Sequence, residues 1–234
     1  MPYPERQPVH SKPKVFLLAF LMAGLAGHVN TAMLLAFGLP VSQMTGLASH
    51  ISEGIGMENW ALLGLSLSIL VSFIFGAMIS GLLIGHRQFR QSERYSWALF
   101  LEMVLLTTSA LLAALGNATA SLILAAMACG LQNALVASYH GLQIRTTHVT
   151  GLSTDIGVYI AKRLKGERWP WEAWLLVTLL IGFIVGGTGG VFGHQMGPGI
   201  NMLIPALTAG LLALVGLVYQ RRVIKNSIHR RPLP

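Results

Sequence analysis

Six long apolar runs separated by short polar segments dominate the chain. A helix rises ~1.5 Å per residue, so about 20 mostly apolar residues cross the hydrocarbon core of a bilayer. Because lipid offers no hydrogen-bond partner to the backbone, each run is predicted to be helical. The predicted spans are 15–37, 60–85, 96–116, 119–142, 171–193 and 200–220. The pattern therefore predicts an all-α, polytopic membrane protein with six transmembrane helices.

The basic residues are distributed on one side of these six spans. All 16 Lys and Arg residues precede the first span, follow the second, fourth or sixth span, and are absent from the other three loops. Since cationic loops resist translocation, both termini are predicted to be cytoplasmic. The net charge of +8 is then expected to meet anionic membrane lipid. Nucleic acid is not expected as a partner, because the charges lie in short loops rather than on one folded face.

Composition supports a membrane protein without catalytic machinery. The chain is 53% hydrophobic and 10% charged, whereas a soluble domain carries about 25% charged residues. The single cysteine, Cys129, lies in an apolar run and is expected to be a small packing residue. The chain contains no His-Glu-x-x-His, Cys-x-x-Cys or Gly-x-Ser-x-Gly motif. No metal, cofactor or enzymatic activity is therefore expected.

Two intervening segments, 41–56 and 146–161, are too polar to span and too apolar for ordinary loops. They align at an offset of 105. Identical positions are Thr45/Thr150, Gly46/Gly151, Leu47/Leu152, Ile51/Ile156 and Ile55/Ile160, and near matches are Ser42/Thr147 and Ser49/Thr154. An offset of 103 pairs Gly27 with Gly130 and Asn30 with Asn133. The chain is therefore interpreted as a tandem duplication of a three-span unit.

Because three is odd, the two units must have opposite orientations in the membrane, which predicts a 3+3 inverted repeat. The predicted division is a cytoplasmic tail (1–14), a first repeat (15–116), a second repeat (117–221) and a basic tail (222–234). The offset of 105 also aligns Ala77, Gly81 and Gly85 with Gly182, Gly186 and Gly190. Glycine at spacing four lets helices approach closely, so spans two and five are predicted to cross.

The two Thr-Gly segments are the candidate site. Glycine permits a break, and a threonine hydroxyl can cap a first helical turn. Two short helices entering from opposite sides would aim free N–H groups at one point near the midplane. The alternative is a pair of amphipathic helices lying flat on the two surfaces. The predicted substrate-binding residues are Asn30, Thr45, Gly46, Ser49, His50, Gln132, Asn133, Thr150, Gly151 and Thr154.

Charged residues near these segments suggest a coupling role. Asp155 stands in an otherwise uncharged run, and a carboxylate between charged and neutral states suits proton coupling, with His148, His50 or Arg145 as its partner. The alternative for Asp155 is a helix cap or a surface salt bridge. The two asparagines are equally well explained as ligands or as interhelical hydrogen-bond partners. Glu102, close to Trp97, is expected to reach back to the membrane surface; the alternative is that it helps line a path.

The motifs resemble a known family. Met44-Thr-Gly46, Gly130-Leu-Gln-Asn-Ala134 and the Thr147 to Asp155 pattern are similar to the YoaK-like family of bacterial integral membrane proteins. The resemblance extends from about residue 15 to 220 and implies six spans in the bacterial cytoplasmic (inner) membrane. Leu47 stands where that family usually has a small polar residue, which argues against a polar ligand at this position. The resemblance implies no established activity.

These observations predict a transporter for a small polar or anionic solute, with a midplane site between inverted repeats and proton coupling. The alternatives are an uncoupled channel-like pore, or a membrane scaffold or sensor subunit without transport. Assembly as a homodimer is left open.

Overall fold

The computed structural model describes residues 12–84, 93–137 and 145–229, and all regular structure in these ranges is helical. The helices are α1 (Lys12–Phe37), α2 (Met44–Gly56), α3 (Trp60–Ile84), α4 (Glu93–Ala114), α5 (Ala118–Ala137), α6 (Val149–Leu164), α7 (Trp171–Gly193) and α8 (Pro198–His229), with a short 3₁₀ turn (His194–Met196) before α8.

Six of these helices, α1, α3, α4, α5, α7 and α8, are long and apolar enough to cross a membrane. This confirms the all-helical, six-span class predicted from hydropathy. The two polar segments form the short helices α2 and α6. The end of the predicted fourth span, 138–142, and the predicted partner position Gly85 lie outside the described residues.

The six long helices pack as three pairs. Helix α1 lies along α7, α3 along α5, and α4 along α8. The α1–α7 pair is parallel, because Phe20, Gly24 and His28 meet successive glycines of α7 in the same order along both helices. The α4–α8 pair is antiparallel, since Ser96 lies beside Gly216 and Ala114 beside Gly199.

The predicted crossing of spans two and five is wrong. Among the described residues α3 does not pack on α7; each packs instead on a helix of the other half of the chain. Gly182, Gly186 and Gly190 of α7 face the backbone of α1, where an added Cβ would overlap carbonyl oxygens. Glycine at spacing four does create a close approach here, but the partner helix is α1.

The α3–α5 pair repeats this close approach. A Cβ at Gly76 would overlap the carbonyl of Met127, and a Cβ at Gly130 would overlap the carbonyl of Phe73. On α1–α7, the corresponding contacts join Gly186 to Gly24 and Gly27 to Phe183. Backbone meets backbone in both pairs, so these crossings admit no side chain at the glycine positions.

The two ends of the bundle differ. The Lys14 Nζ lies 5.2 Å from the centre of the Tyr219 ring, so the start of α1 and the end of α8 share one end. We call this the basic end. Large apolar side chains cover the outer surface, with Leu82 75% and Phe192 76% exposed. Exposed apolar surface on this scale suits contact with lipid.

Each short helix folds back against the long helix that follows it. The turn after α2 brings Gly54 against Leu63, so α2 runs antiparallel to α3. Helix α6 packs on α7, where Leu152 joins a buried cluster with Leu175 and Leu179. At the end of α1, Gly38 adopts φ +75°, which lets the chain reverse direction into the segment before α2.

Candidate functional site

Asn30 anchors the segment that precedes α2. Its side-chain Oδ1 accepts hydrogen bonds from the Ser42 backbone N–H (3.1 Å) and from the Ser42 Oγ (2.9 Å). Both residues are buried. Asn30 lies on the second half of α1, so these bonds hold the chain inside the bundle after α1 has ended. A buried amide thereby gains partners that lipid cannot offer.

Asn133 makes the corresponding contact in the second half of the chain. Its Oδ1 accepts a hydrogen bond from the Thr147 N–H at 3.5 Å, just before α6. Ser42 and Thr147 are near matches at the offset of 105, and the two asparagines match at 103. The sequence suggested both asparagines as ligands or interhelical partners. In the structure each Oδ1 binds the polar segment of its own half.

The first turns of α2 and α6 carry no side-chain cap. The residues before them, Gln43 and His148, make no capping hydrogen bond, so the free N–H groups of each first turn lack a side-chain partner there. A Cβ added to Gly151 would overlap the His148 imidazole, whereas one at Gly46 would lie 3.5 Å from the Gln43 Cδ. In both helices the preceding side chain therefore covers the Thr-Gly turn, and at Gly151 only glycine leaves room for it.

The hydroxyls predicted to bind solute are engaged by their own helices. The Ser49 Oγ donates to the Thr45 carbonyl at 3.2 Å, and the Thr154 Oγ1 donates to the Thr150 carbonyl at 3.0 Å. All four residues are exposed. Their side chains lie on the outer faces of α2 and α6, away from the contacts with α3 and α7.

The predicted charged residues are not brought together. His50 Nδ1 lies 3.2 Å from the Glu53 carboxylate on the same helix. Asp155 and His148 are both exposed on or beside α6, and Asp155 makes no ion pair with any described residue. In the described part of the chain, α2 and α6 do not contact each other. The structure therefore separates His50 from Asp155.

Helices α1 and α5 are antiparallel, and their register separates the two asparagines. Gln132 Nε2 donates to the Met22 carbonyl at 2.6 Å, and the Ser121 Oγ lies 4.0 Å from the Met33 Sδ. In this register Asn30 and Asn133 are about 13 Å apart along the axis. Gln132 is fully buried, and its Oε1 lacks a partner among the described residues. The predicted site is thus two polar regions on either side of the bundle centre.

A buried network that the sequence did not assign lies near the end opposite the basic end. His28 Nε2 lies 2.8 Å from the Asn201 Oδ1 and 3.1 Å from its backbone oxygen. The Asn201 Nδ2 donates to the Gly190 carbonyl at 2.9 Å. Asn201 therefore joins α8 to both α1 and α7. An asparagine in the first turn of an apolar span was the available signal.

Glu102 is buried, contrary to the expectation that it reaches the membrane surface. It is 0% exposed, and neither carboxylate oxygen has a hydrogen-bond partner among the described residues. It lies in the middle of α4, and the buried Cys129 lies on the neighbouring helix α5. The expectation failed because packing of α4 against α5 and α8 directs this face inward.

The basic end carries an open basin of about 580 Å³, lined by Arg163, Arg168, Trp169 and Trp174. The two tryptophan rings meet edge to face with centroids 5.8 Å apart. The Arg163 guanidinium donates to the Glu167 carbonyl at 3.3 Å. Two arginines and two tryptophans therefore share this open surface.

Comparison with known proteins identifies a family without an assigned activity. Residues 18–218 match the family described as protein of unknown function (DUF1275), and the chain belongs to it. This agrees with the expected class of uncharacterised membrane proteins, while the YoaK-like name rests on the sequence resemblance alone. No curated protein and no solved structure matches the chain.

Proposed function

We propose that this member of the family of unknown function is a membrane transporter for a small polar or anionic solute. The observation that carries the proposal is a pair of asparagines, Asn30 buried and Asn133 partly buried, that bind the segments just before α2 and α6. Uncapped helix N-termini present N–H groups and a positive dipole end, which favour anionic or polar groups. Discontinuous helices of this kind bind solutes in several transporter folds.

Matching contacts support an inverted repeat. Gly27 meets Phe183 on α1–α7, and Gly130 meets Phe73 on α5–α3. Gly27 and Gly130 are 103 positions apart in the sequence, and Phe73 and Phe183 are 110 positions apart. The same two shifts convert the Gly24–Gly186 contact into Met127–Gly76. A two-fold relation that exchanges the halves accounts for both pairs, with an offset of 110 rather than 105 between spans two and five.

The packing also supports short helices that enter the membrane rather than lie on its surface. Helix α2 is about 20 Å long, and it runs antiparallel to α3 from the Gly54–Leu63 contact. Its first turn is therefore level with the middle of α3. For α6, burial of Leu152 beside Leu179 brings its first turn towards the middle of α7. Helices lying flat on the two surfaces would not be expected to make these contacts.

In alternating access, each moving unit would combine helices from both halves of the chain. Because α1 packs on α7 and α3 on α5, the two sequence halves interlock, and one half cannot rock against the other without breaking both glycine crossings. We propose instead that the α1–α7 and α3–α5 pairs move against each other, carrying α6 and α2 with them. The two residues that the sequence suggested for coupling, Asp155 and His148, are both exposed at α6, outside the contacts between these pairs.

The basin at the basic end favours a second role in binding membrane lipid. Arginines supply charge for an anionic headgroup, and tryptophans suit the membrane interface. Arg163 and Arg168 line the basin together with Trp169 and Trp174. If the protein is a scaffold or sensor rather than a transporter, this surface is where we place its lipid or partner.

Thiol accessibility tests whether the two Thr-Gly turns face a shared pathway. In a Cys129→Ala background, Thr45→Cys and Thr150→Cys proteins are treated with an impermeant maleimide in right-side-out and inverted vesicles. Asn59→Cys and Glu167→Cys, in the turns after α2 and α6, mark the two surfaces. Alternating access predicts that both threonine positions react from both sides and each control from one. Reaction of each threonine position only from the side of its neighbouring control would contradict a shared pathway.

Counterflow in proteoliposomes tests transport itself. Purified protein is first screened by thermal stability against amino acids, carboxylates, nucleobases and inorganic anions, since a ligand that binds the folded state raises its stability. Each stabilising solute is then assayed for exchange of labelled against unlabelled solute. A carrier gives saturable exchange, whereas non-saturating flux without counterflow indicates a pore. If no solute stabilises the protein and none is exchanged, the scaffold or sensor role is favoured.

A further inference from the structure

Glu102 is the strongest feature that the proposed site does not use. It is fully buried near the middle of α4, and both carboxylate oxygens lack partners in the described ranges. An ionised carboxylate without partners is costly in an apolar interior. The neutral acid is therefore the form that this arrangement accommodates, and an acidic residue buried at this depth in a span marks a functional site.

The groups around Glu102 favour a proton rather than a metal ion. Helix α4 packs on α3, α5 and α8. The ionisable residue of α5 is the buried Cys129; α3 carries no charged residue, and those of α8 begin at Arg221. No group of three or more His, Cys, Asp or Glu residues that could hold a metal ion occurs among the described residues. One carboxyl beside one thiol offers too few ligands for a metal ion and is sufficient for a proton.

Polar groups lie on both sides of Glu102, between α4 and α5 on one side and between α5 and α1 on the other. Towards the end opposite the basic end, Ser109 and Ser121 hydroxyls are 3.0 Å apart, about 10 Å along α4 from Glu102. Towards the basic end, Gln132 follows Cys129 by one helical turn, and its buried Oε1 is unpartnered among the described residues. A transferred proton needs such groups, or water between them, on both sides of its binding site.

We propose that Glu102 is the proton-binding group that couples the two sides of this protein, with the α4–α5 interface as its pathway. The carboxylate accepts a proton from hydronium on one side, which leaves water, and returns it to water on the other side. No electron transfer is involved. The coupling role rests on the proposed transport function, whereas reversible protonation of Glu102 does not. The inference places coupling at Glu102 instead of the exposed Asp155.

Modification by N,N′-dicyclohexylcarbodiimide tests the protonation. This apolar reagent adds to protonated carboxyl groups within membranes, and peptide mapping by mass spectrometry locates the adduct. We expect one adduct, at Glu102, whose rate of formation falls about tenfold for each pH unit once the carboxyl titrates. Glu102→Gln should abolish the adduct, and Asp155→Asn should leave it unchanged. Glu102→Asp, which keeps the carboxyl, should restore a pH-dependent adduct if the Gln variant folds poorly.

Two labelling results would overturn the proposal. Modification of Asp155 but not Glu102 would place the protonated carboxyl on α6. A rate at Glu102 that does not change with pH would show a sealed, permanently neutral acid with a structural role only.

Transport measurements then separate coupling from transport. For a solute that shows counterflow, Glu102→Gln should keep solute exchange but lose accumulation driven by an imposed pH gradient, and Asp155→Asn should keep both. Equal accumulation by wild type and Glu102→Gln would overturn coupling while leaving the transporter intact. If wild type exchanges no solute, the proposed function and the coupling role both fail, and pH-dependent labelling would leave Glu102 as a proton-binding group alone.

Discussion

The close contact of glycines between α1 and α7 predicts how much a substitution there should destabilise the protein. In Gly186→Ala the new Cβ would lie 2.5 Å from the Gly24 Cα and would overlap its carbonyl oxygen. Carbon atoms pack at about 3.5–4.0 Å. The two backbones must therefore separate by about 1 Å or more, and neither can rotate away as a side chain would.

Overpacking of this kind costs about 1–3 kcal/mol. For a chain of this size each kcal/mol lowers Tm by about 2–4 °C, so we expect a fall of roughly 2–12 °C. In Gly76→Ala on α3 the new Cβ would overlap the Met127 carbonyl, so the Tm of this variant should fall by a similar amount. Gly81→Ala is the matched control, because a Cβ there meets nothing within 4 Å. Because alanine has a greater helix propensity than glycine, Gly81→Ala should leave the free energy of unfolding unchanged or raise it by about 1 kcal/mol at most, and Tm should not fall.

Cys129 makes the measurement direct. It is the single cysteine of the chain and is 1% exposed, so a fluorogenic maleimide in detergent reacts with it only as the protein opens. The temperature of half-maximal reaction gives Tm for each variant. If Gly186→Ala and Gly81→Ala melted at the same temperature, α1 and α7 would not be in backbone contact at this position, and the interlocked packing would be refuted.

Three further predictions follow from other contacts. Asn30→Ala removes the acceptor of two Ser42 hydrogen bonds, and circular dichroism melting should show a loss of about 1–3 kcal/mol; an unchanged melt would mean that the segment before α2 is held otherwise. Asn201→Ala removes the side-chain contacts to His28 and to the Gly190 carbonyl and should cost about 1–3 kcal/mol, whereas the exposed Gln195→Ala on the neighbouring turn should cost about nothing; equal melts would contradict the buried network. Green fluorescent protein fused to the C-terminus should fluoresce and alkaline phosphatase fused there should be inactive, because the positive charges predict a cytoplasmic terminus; the reverse pattern would invert the assigned orientation.

Hydropathy predicted the helices because a segment's own composition determines whether it can enter lipid. The backbone of each span must satisfy itself, so local sequence is sufficient. The Thr-Gly segments were likewise placed closely: 41–56 contains α2 (Met44–Gly56), and 146–161 overlaps most of α6 (Val149–Leu164). Their small residues and alternating polarity distinguish them from both spans and loops.

Partner choice was not available from the sequence. A glycine face states that some backbone approaches closely, but not which one, and so α7 was paired with α3 instead of α1. The offset of 105 from the polar segments was carried into spans two and five, where the contacts of Gly76 and Gly186 indicate 110. If the halves are related as proposed, an insertion in one of them shifts the sequence alignment without changing the helix packing.

The predicted roles of individual site residues were wrong for a related reason. The position of Glu102 near a span end suggested a side chain that reaches the surface, but its direction depends on which helices cover that face of α4. Gln132 was expected to bind solute, whereas its Nε2 donates to the Met22 carbonyl of α1. Rotational orientation of a span is a property of the assembled bundle, and no feature of one helix in isolation determines it.

The exchange of partners between the halves has a consequence for biogenesis. Helices α1 and α3 do not touch in the structure, and each packs against a helix translated later. While the ribosome is still synthesising the second half, the glycine-lined faces of both are uncovered in the bilayer. Neither half expressed alone has a surface to close them, so the two halves should assemble only when they share a membrane.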